Sequence, residues 1–575
     1  MPDATFDAVI IGGGNKALLL AMYLIKYGGL TVGIFERRHE IGGCLATEEA
    51  SAPGFRGNTH ASVILPWYFT PVYRDFPKFW DYGAQIDQYT CSDGGIFRRN
   101  GTCLAIYSEK HDPTQERTAR EIARFSERDA EKWLKLWKLW QSDDFPRVQF
   151  DMLFNPAEYR MAPDILNRQV AIYPGLIEAG FEPDGLVLTA SHLRAARDAW
   201  ESNELQYCVL RFCLGGAYDI NQPGVGATTM GFAATLPTIS FTRGGTHQIA
   251  HAAHQILVQN GCKLFTHAEV KNVIIENGTA VGVVLADGSH IKARKLVVST
   301  LSPYQLCFDL IGKEYLDYKL TRRVEQLENN FCCLMWYSFA LHQAPKYEAA
   351  AFNPDINETF WLALAEDNDP MHIARECYYA KMGAFPPLED YCPTVWCHSL
   401  VDPSYAPPGK HVANNEQLGP AASLHTEKEW LEIKKRYAEE LINIWQKHAP
   451  NMTWDNVIGV DTNSPYDGLR MKNLAPNGGM GLLDRVAYQI EGQRPTPELA
   501  NHRTPIRNLY ATGAAWHLGA NCGSSESYNS YKIIAKDLDL GKPWEAKGKE
   551  EPDSLIAEQR KVNKRLQESL RKKTG

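Results

Sequence analysis

Two glycines and one acid near the start of the chain have the types and spacing that bind a dinucleotide. Gly12 and Gly14 follow the apolar residues 8–11; Gly12 permits a tight turn, and Gly14 lets the backbone approach a pyrophosphate. Glu36 lies about 20 residues beyond the turn and can accept hydrogen bonds from both hydroxyls of an adenosine ribose. This carboxylate would repel a phosphate on the 2′-oxygen, so we expect a dinucleotide without one.

The elements that position these residues form a strand, a turn, a helix and a second strand. Residues 8–11 are β-branched and short, as in a buried parallel strand. Residues 16–27 are predicted to form a helix whose N-terminal amides face the phosphates, with Ala17 in place of a third glycine. Residues 31–35 then form the second strand. A chance glycine turn is the alternative, and the complete order of elements argues against it.

The segment after Glu36, ERRHEIGG, ends in Gly42-Gly43, a pair that an NAD-binding unit does not require. It resembles the extension that large FAD-dependent oxidoreductases carry after this fingerprint. Residues 42–62, GGCLATEEASAPGFRGNTHAS, are similar to the phytoene desaturase-like branch of the FAD-dependent amine oxidase superfamily. The resemblance implies FAD rather than NAD as the cofactor.

Two later blocks resemble the same branch. Residues 241–303 carry hairpin signals at Asn277-Gly278 and Asp287-Gly288 and look like the inserted β-meander of the family, with Val270 where the backbone contacts the adenine. Residues 504–534 contain Gly513-Ala514, similar to the turn toward the ribityl and pyrophosphate groups of the flavin. The segments RTPIRNLY and GGMGLLD most resemble proteins related to pyridine nucleotide-disulphide oxidoreductase domain-containing protein 2, carotenoid ketolases and retinol saturases.

The last block departs from the family pattern after Gly513-Ala514. His517 is retained, but Leu518, Ala520 and Asn521 replace the usual proline and glycines, so the shape of the cavity beside the flavin does not follow from the resemblance. The residues expected to bind the cofactor are Gly12, Gly14, Asn15, Ala17, Glu36, Arg37, Gly42, Gly43, Val270, Gly513, Ala514 and Asn521.

The spread of these blocks predicts an α/β protein with a discontinuous Rossmann-type FAD-binding domain that carries the β-meander, and an α+β substrate-binding domain. A chain of 575 residues exceeds the size of one core. The expected divisions are 1–65, 236–303 and 465–543 for FAD, 66–235 and 304–464 for the substrate, and 544–575 as a charged C-terminal tail.

Two histidines are candidates for proton transfer because the resemblance places them near the flavin. Flavin oxidation of a C–H bond needs hydride transfer to N5 and often a base, and an imidazole with a pKa near 6.5 can take a proton near neutral pH. His60 and His517 are the candidates, and hydrogen bonding to backbone or flavin is the alternative for either. Asn521 and Glu526 are weaker candidates.

The resemblance implies an FAD-dependent dehydrogenase or desaturase of an apolar isoprenoid, alicyclic or lipid-like substrate. A flavin-dependent isomerase or saturase, an amine oxidase, and a non-catalytic carrier of the same fold, as in the Rab GDP-dissociation inhibitors, stay open as alternatives. No second dinucleotide fingerprint is apparent, so oxygen, a quinone or another acceptor is expected to reoxidise the flavin. Metal ligands are not expected, because the pairs Cys208/Cys213 and Cys392/Cys397 lack zinc-site spacing.

Composition narrows the partners. The net charge of -8 and the lack of a basic patch argue against nucleic acid, and 13 cysteines fit a reducing compartment. We expect a cytoplasmic protein, with peripheral membrane contact and oligomer formation left open. Trp133, Trp137 and Trp140 share one helical face, which favours a helix covering the substrate domain over a membrane-surface helix. The tail is expected to be a solvated or partner-docking helix.

Overall fold

The computed structural model describes residues 2–181, 184–519 and 522–574. In this part of the chain the strands, in chain order, are β1 (Ala4–Ile11), β2 (Val32–Phe35), β3 (Thr47–Ala52), β4 (Phe55–Asn58), β5 (Ile86–Asp87), β6 (Cys91–Phe97), β7 (Thr102–Tyr107), β8 (Phe241–Thr242), β9 (Lys263–Phe265), β10 (Val270–Glu276), β11 (Thr279–Leu285), β12 (His290–Ser299), β13 (Cys333–Leu341), β14 (Thr359–Ala365), β15 (Thr394–Trp396), β16 (His411–Gly419), β17 (Val457–Asn463) and β18 (Leu509–Ala511).

The α-helices of the same residues are α1 (Asn15–Lys26), α2 (Thr70–Asp75), α3 (Lys78–Asp81), α4 (Glu116–Ala123), α5 (Glu127–Gln141), α6 (Asp144–Phe154), α7 (Pro163–Ala171), α8 (Tyr173–Glu178), α9 (Leu186–Thr189), α10 (His192–Ala199), α11 (Asn203–Gly215), α12 (Thr229–Thr235), α13 (His247–Gln259), α14 (Tyr318–Glu325), α15 (Met371–Lys381), α16 (Glu427–His448), α17 (Pro465–Lys472), α18 (Ser525–Asp537) and α19 (Asp553–Thr574).

The first large sheet has the predicted Rossmann-type core. Its order is β10-β11-β12-β1-β2-β9, and β18 adds to β12. β1 pairs in parallel with β2 and β12, and β12 pairs in parallel with β18. The sheet therefore joins the beginning, middle and end of the chain at one edge, where the carboxyl ends of its parallel strands meet. The α/β fold class expected from the sequence is confirmed.

The β-meander also forms as predicted. β10, β11 and β12 pair antiparallel in sequence, with turns at Asn277-Gly278 and Asp287-Gly288. Both glycines have positive φ, which is the conformation that these tight turns need.

The second large sheet has the order β17-β13-β16-β15-β14-β6-β7. Most of its pairs are antiparallel, but β14 pairs in parallel with β6, which is far away in sequence. Residues 91–107 and 333–463 thus share one sheet, in keeping with a substrate-binding part made of two segments. The exact domain boundaries stay a prediction.

Two helices have environments that bear on the sequence expectations. In α5, Trp133, Trp137 and Trp140 are all buried in the core beside the second sheet, so the covering-helix interpretation is confirmed. The C-terminal segment was expected to be solvated or to dock a partner, and this was wrong: in α19, Val562 and Leu566 are buried against the first-sheet core. No helix in the described ranges is both long and apolar enough to cross a membrane.

Candidate functional site

A cavity of about 1530 Å³ is lined by residues of both large sheets, and β1 and α1 meet at one end of it. Gly12 has φ of +89°, and a Cβ there would lie 2.5 Å from Thr300 Oγ1. Gly14 has φ of −66°, and a Cβ there would meet no heavy atom within 4 Å. The fold itself therefore requires Gly12 to be glycine, whereas only an occupant of the cavity would require this of Gly14.

Glu36 is held at the same end by the backbone. Its Oε2 accepts a hydrogen bond from Gly13 N at 2.7 Å, and its Oε1 accepts one from Arg38 N at 2.8 Å. A carboxylate has about four acceptor positions, so each oxygen keeps capacity for a ligand hydroxyl. The two amides fix the carboxylate beside the glycine turn, where the sequence pattern places the ribose.

The second glycine pair packs on the first turn. Gly42 N donates to Gly13 O at 2.9 Å, and Gly42 and Gly43 have φ of +110° and +62°. A Cβ on Gly43 would lie 3.2 Å from Gly14 Cα. The pair therefore allows two backbone segments to approach closely at the cavity wall.

The middle and last blocks reach the same cavity. Val270 begins β10, pairs with Leu285 and lines the cavity. Gly513 follows β18 with φ of +126°, and a Cβ there would lie 2.7 Å from Thr300 O. Gly513 and Ala514 thus pass close to the backbone after β12, and both line the cavity.

Most residues that the sequence assigned to the site meet in this cavity. Those that line it are Gly12, Gly14, Asn15, Glu36, Arg37, Gly43, His60, Val270, Gly513 and Ala514. Ala17 is fully buried within α1, where it packs rather than faces the cavity, and Gly42 supports Gly43 from behind. Asn521 lies outside the described residues.

The two candidate histidines have different surroundings. His517 does not line the cavity; its Nδ1 lies 2.6 Å from Glu491 O and its Nε2 lies 3.1 Å from Asn155 O. Burial lowers its pKa below the usual value. Both ring nitrogens are engaged with backbone carbonyls, so the geometry favours a structural role for His517.

His60 lines the cavity, and its Nδ1 is buried with no hydrogen-bond partner among the residues that the structure describes. Burial lowers its pKa to about 3, and the positive charges of Lys472 and Arg38 act in the same direction. The imidazole is therefore neutral near pH 7, with one ring nitrogen available to a ligand. Of the two histidines, His60 is the one placed for chemistry.

The geometry of a dinucleotide fold agrees with comparisons to known proteins. A profile of the NAD(P)-binding Rossmann-like domain family matches residues 10–82. A component protein of limonene dehydrogenase from Castellaniella defragrans is 25% identical over 96% of this chain and 98% of its own. Pyridine nucleotide-disulfide oxidoreductase domain-containing protein 2 of Mus musculus is 25% identical over 93% and 94%. A phytoene desaturase (lycopene-forming) of Paracoccus sp. is 24% identical over 49% and 51%.

The chain is a relative of the phytoene desaturase-like flavoproteins. Among solved structures, a variant of putrescine oxidase superposes with a TM-score of 0.56 at 11% identity, over 93% of this chain and 99% of that one, which shows a shared fold. The resemblance read from the sequence is confirmed, as are FAD as the cofactor and the class of FAD-dependent oxidoreductases.

The residues of this flavoprotein fit FAD by a direct structural criterion. The open space over Gly14 lies at the N-terminus of α1, where backbone amides and the helix dipole favour a pyrophosphate. Asn15 and Lys16 also line the cavity there. The cavity volume exceeds the range of about 300–1,000 Å³ that is typical of one small-molecule site, which leaves room for a substrate beside the cofactor.

A buried ion pair joins the first and last blocks, and the sequence pattern did not reveal it. Lys16 in α1 contacts Glu526 and the carbonyl of Gly523 at the start of α18. Both side chains are buried, and such pairs hold two elements in register when the partners are well oriented. Glu526, a weaker catalytic candidate from the sequence, therefore lies in this pair, which only a tertiary structure could show.

The far wall of the cavity comes from the second sheet and α11, and it was not predicted at residue level. It is mostly apolar; its residues include Phe212, Met230, Phe232, Leu334, Trp336 and Trp361. One acid, Glu416 of β16, interrupts this surface. Strand polarity alone offered no signal, since neighbouring residues 414–417 are Asn, Asn, Glu and Gln and their facing depends on strand pairing.

Proposed function

We propose that this flavoprotein dehydrogenates an apolar isoprenoid, alicyclic or lipid-like substrate. The observation that supports it most is the continuity of one cavity from Gly14 and Glu36 to the aromatic wall at Trp336 and Trp361. A dinucleotide bound at the first end leaves an apolar space at the second. Apolar pockets with few polar groups suit hydrocarbon-rich ligands. Limonene and phytoene, named for two relatives, are of this kind.

The chain supplies the surroundings in which a bound FAD would accept a hydride. Trp336 donates its indole N–H to Asn58 O at 2.6 Å, which fixes the aromatic wall to the loop that carries His60. The wall excludes water, and a dry site strengthens the polar interactions within it. His60, neutral and with a free Nδ1, is placed to take the proton that accompanies the hydride.

We also propose where the flavoprotein acts and what reoxidises it. Its thirteen cysteines are free thiols, which fits a reducing cytoplasm. Large apolar side chains are exposed around α7–α9, close to the cavity, and they support peripheral contact with a membrane; they are Met161, Val170, Tyr173, Ile177, Leu186 and Leu188. A membrane quinone is then a suitable electron acceptor, with oxygen and a soluble acceptor as the other options.

Anaerobic incubation of the FAD-loaded protein with limonene and other cyclic or linear isoprenoids tests the proposal. We expect loss of flavin absorbance that persists until an acceptor is added, together with a product that has lost two hydrogens. The matched control is His60→Gln, which keeps a polar side chain of similar reach; it should bind FAD but bleach at least tenfold more slowly.

Other outcomes would replace the proposal. Product formation without lasting bleaching would show an isomerase, and bleaching by amines alone would show an amine oxidase. A preparation that never binds FAD, even after reconstitution, would contradict the enzyme class and favour the non-catalytic carrier.

A further inference from the structure

Glu416 is a carboxyl group on an otherwise apolar wall. In β16 it pairs with Trp336 of β13 and with Thr394 of β15, and it lines the cavity while being only 6% exposed. No hydrogen bond or ion pair to its carboxyl oxygens is found within residues 2–181, 184–519 and 522–574. A buried carboxyl group without a partner costs free energy unless a ligand supplies one.

A second polar group of this wall also lacks a partner. Trp361 of β14 lines the cavity and is 4% exposed, and its indole Nε1 is buried without a hydrogen-bond partner in the described part of the chain. The ring is fixed by stacking on Trp396 at 5.4 Å. Gly215 opposite it leaves space for the ring, since a Cβ there would lie 2.9 Å from Trp361 Cζ2.

We infer that Glu416 and Trp361 bind a carbonyl or hydroxyl oxygen on an otherwise apolar substrate. Glu416 donates its carboxyl O–H to that oxygen, and the indole N–H is a second donor on the same wall. The inference deepens the proposed function and rests on it: the substrate class becomes an oxygen-bearing terpenoid or related cyclic compound, rather than a pure hydrocarbon. Burial of two unpartnered groups is otherwise unexplained by the fold.

The protonation state supports a donor rather than an ion-pairing role. Burial raises the pKa of Glu416 to about 8; Arg211 opposes this rise and Glu376 adds to it. Arg211 is itself paired with Glu376 at 3.2 Å, so its charge is largely taken. The thiols facing the acid, Cys332 and Cys522, have pKa values raised by burial and by the charge of Glu416. At pH 7 the group is therefore mostly a neutral acid, which suits an oxygen acceptor better than an ammonium group.

The wall is connected to the part of the cavity where reaction is expected. The effect of Glu416 on Cys522 places the acid near the segment between Gly513 and α18. Trp336, the cross-strand neighbour of Glu416, is bound to the loop before His60. An oxygen held at Glu416 would thus orient the substrate ring beside the flavin end of the cavity.

Equilibrium dialysis with two matched probes tests the inference without turnover. Limonene and carvone share a skeleton, but carvone carries a carbonyl group. We expect carvone to bind at least fivefold more tightly than limonene at pH 6.5, which is the scale of one buried neutral hydrogen bond. This ratio should fall toward one as the pH rises past about 8, because the carboxylate no longer donates.

Variants separate the donor from simple packing. Glu416→Leu should remove the preference for carvone, whereas Glu416→Gln, whose amide donates at any pH, should keep most of it and lose the pH dependence. Trp361→Phe should reduce the preference while retaining the ring. Glu109→Gln is the matched control: burial also raises the pKa of Glu109 to about 8, but it does not line the cavity, so the probe ratio should not change. Thermal unfolding of each variant checks that it is folded.

Equal binding of the two probes to the wild-type protein would overturn the inference, as would an unchanged ratio in folded Glu416→Leu. Tighter binding of carvylamine than of carvone, lost in Glu416→Gln, would assign Glu416 to an ammonium group instead. The proposed function fails separately: flavin bleaching by limonene without any preference for carvone would keep the dehydrogenase and remove the anchor. A Glu416-dependent preference without bleaching by any isoprenoid would do the reverse.

Discussion

At the scale of single residues, Gly12 and Gly14 differ in what an added methyl group would meet. Gly14→Ala should leave the stability of the FAD-free protein unchanged or raise it by about 0.4–1 kcal/mol, because φ is −66° and the space is open. The methyl group would occupy the approach to the pyrophosphate, so FAD affinity should fall at least tenfold. Thermal unfolding of apoprotein and FAD titration by fluorescence measure the two effects.

Gly12→Ala provides the contrast, since φ of +89° and Thr300 Oγ1 at 2.5 Å strain any side chain. It should lower the stability of the apoprotein by about 1–3 kcal/mol. If Gly14→Ala destabilised the apoprotein as much as Gly12→Ala, the assignment of the open space to a ligand would be contradicted.

The two histidines should also respond differently to substitution. His517→Ala leaves the carbonyls of Glu491 and Asn155 without their ring partner, so we expect a loss of about 1–3 kcal/mol in the free energy of unfolding. The rate of flavin reduction per bound FAD should change little. His60→Ala should do the opposite, with near-normal urea unfolding and slow flavin reduction. Slow reduction in FAD-bound His517→Ala, with normal rates in His60→Ala, would reverse the assignment.

At the scale of elements, α19 is part of the first-sheet core. Leu566 is buried within the same cluster as residues of α1 and α18, so Leu566→Ala should cost about 2–4 kcal/mol. Lys564 of the same helix has a side chain 77% exposed, and Lys564→Ala should stay within about 0.5 kcal/mol. Urea unfolding of both variants is the measurement. Equal, small effects would show that α19 is not packed in solution.

The elements around the nucleotide end could be predicted because local signals and the resemblance agree. The strand predicted at 8–11 appears as β1, the helix predicted at 16–27 as α1, and Leu509 begins β18 as expected. The packing of α19 was missed because its composition is charged and its stripe of Val562 and Leu566 is thin. Such a stripe is buried only because α2 and α6 offer a matching apolar surface, which one sequence window does not contain.

At the scale of the whole molecule, the two ends of the cavity differ in how far the sequence could specify them. The nucleotide end depends on backbone geometry at Gly12, Gly14 and Gly513, and glycine reports such geometry directly. The far wall depends on which strands pair. Glu416 faces Trp336 only because β13 and β16 are neighbours, and β6 joins β14 across more than 250 residues. Non-local pairing of this kind leaves no local periodic signal.

Buried titratable groups should give the molecule a stability maximum near pH 6.5. Burial lowers the pKa of four histidines to about 3, so the unfolded chain takes up protons below pH 6.5 that the folded chain does not, and stability is lost as the pH falls; they are His60, His192, His398 and His502. Burial raises the pKa of Glu109 and Glu416 to about 8. The folded chain then holds protons that the unfolded chain releases, and stability is lost as the pH rises toward 8.

Below pH 6.5 the four histidines outweigh the two acids, and above it only the acids act, so the free energy of unfolding should decline on both sides. Each uncompensated proton contributes about 1.4 kcal/mol per pH unit. Urea unfolding of the FAD-free protein at pH 5.0, 6.5 and 8.0 measures the curve. Glu109→Gln should weaken the decline between pH 6.5 and 8.0 by about 2 kcal/mol and leave the histidine contribution on the acid side in place. A curve that rises steadily from pH 5.0 to 8.0 would show that these two carboxyl groups ionise freely in the folded protein, and with it that the acid at Glu416 is not held neutral by its wall.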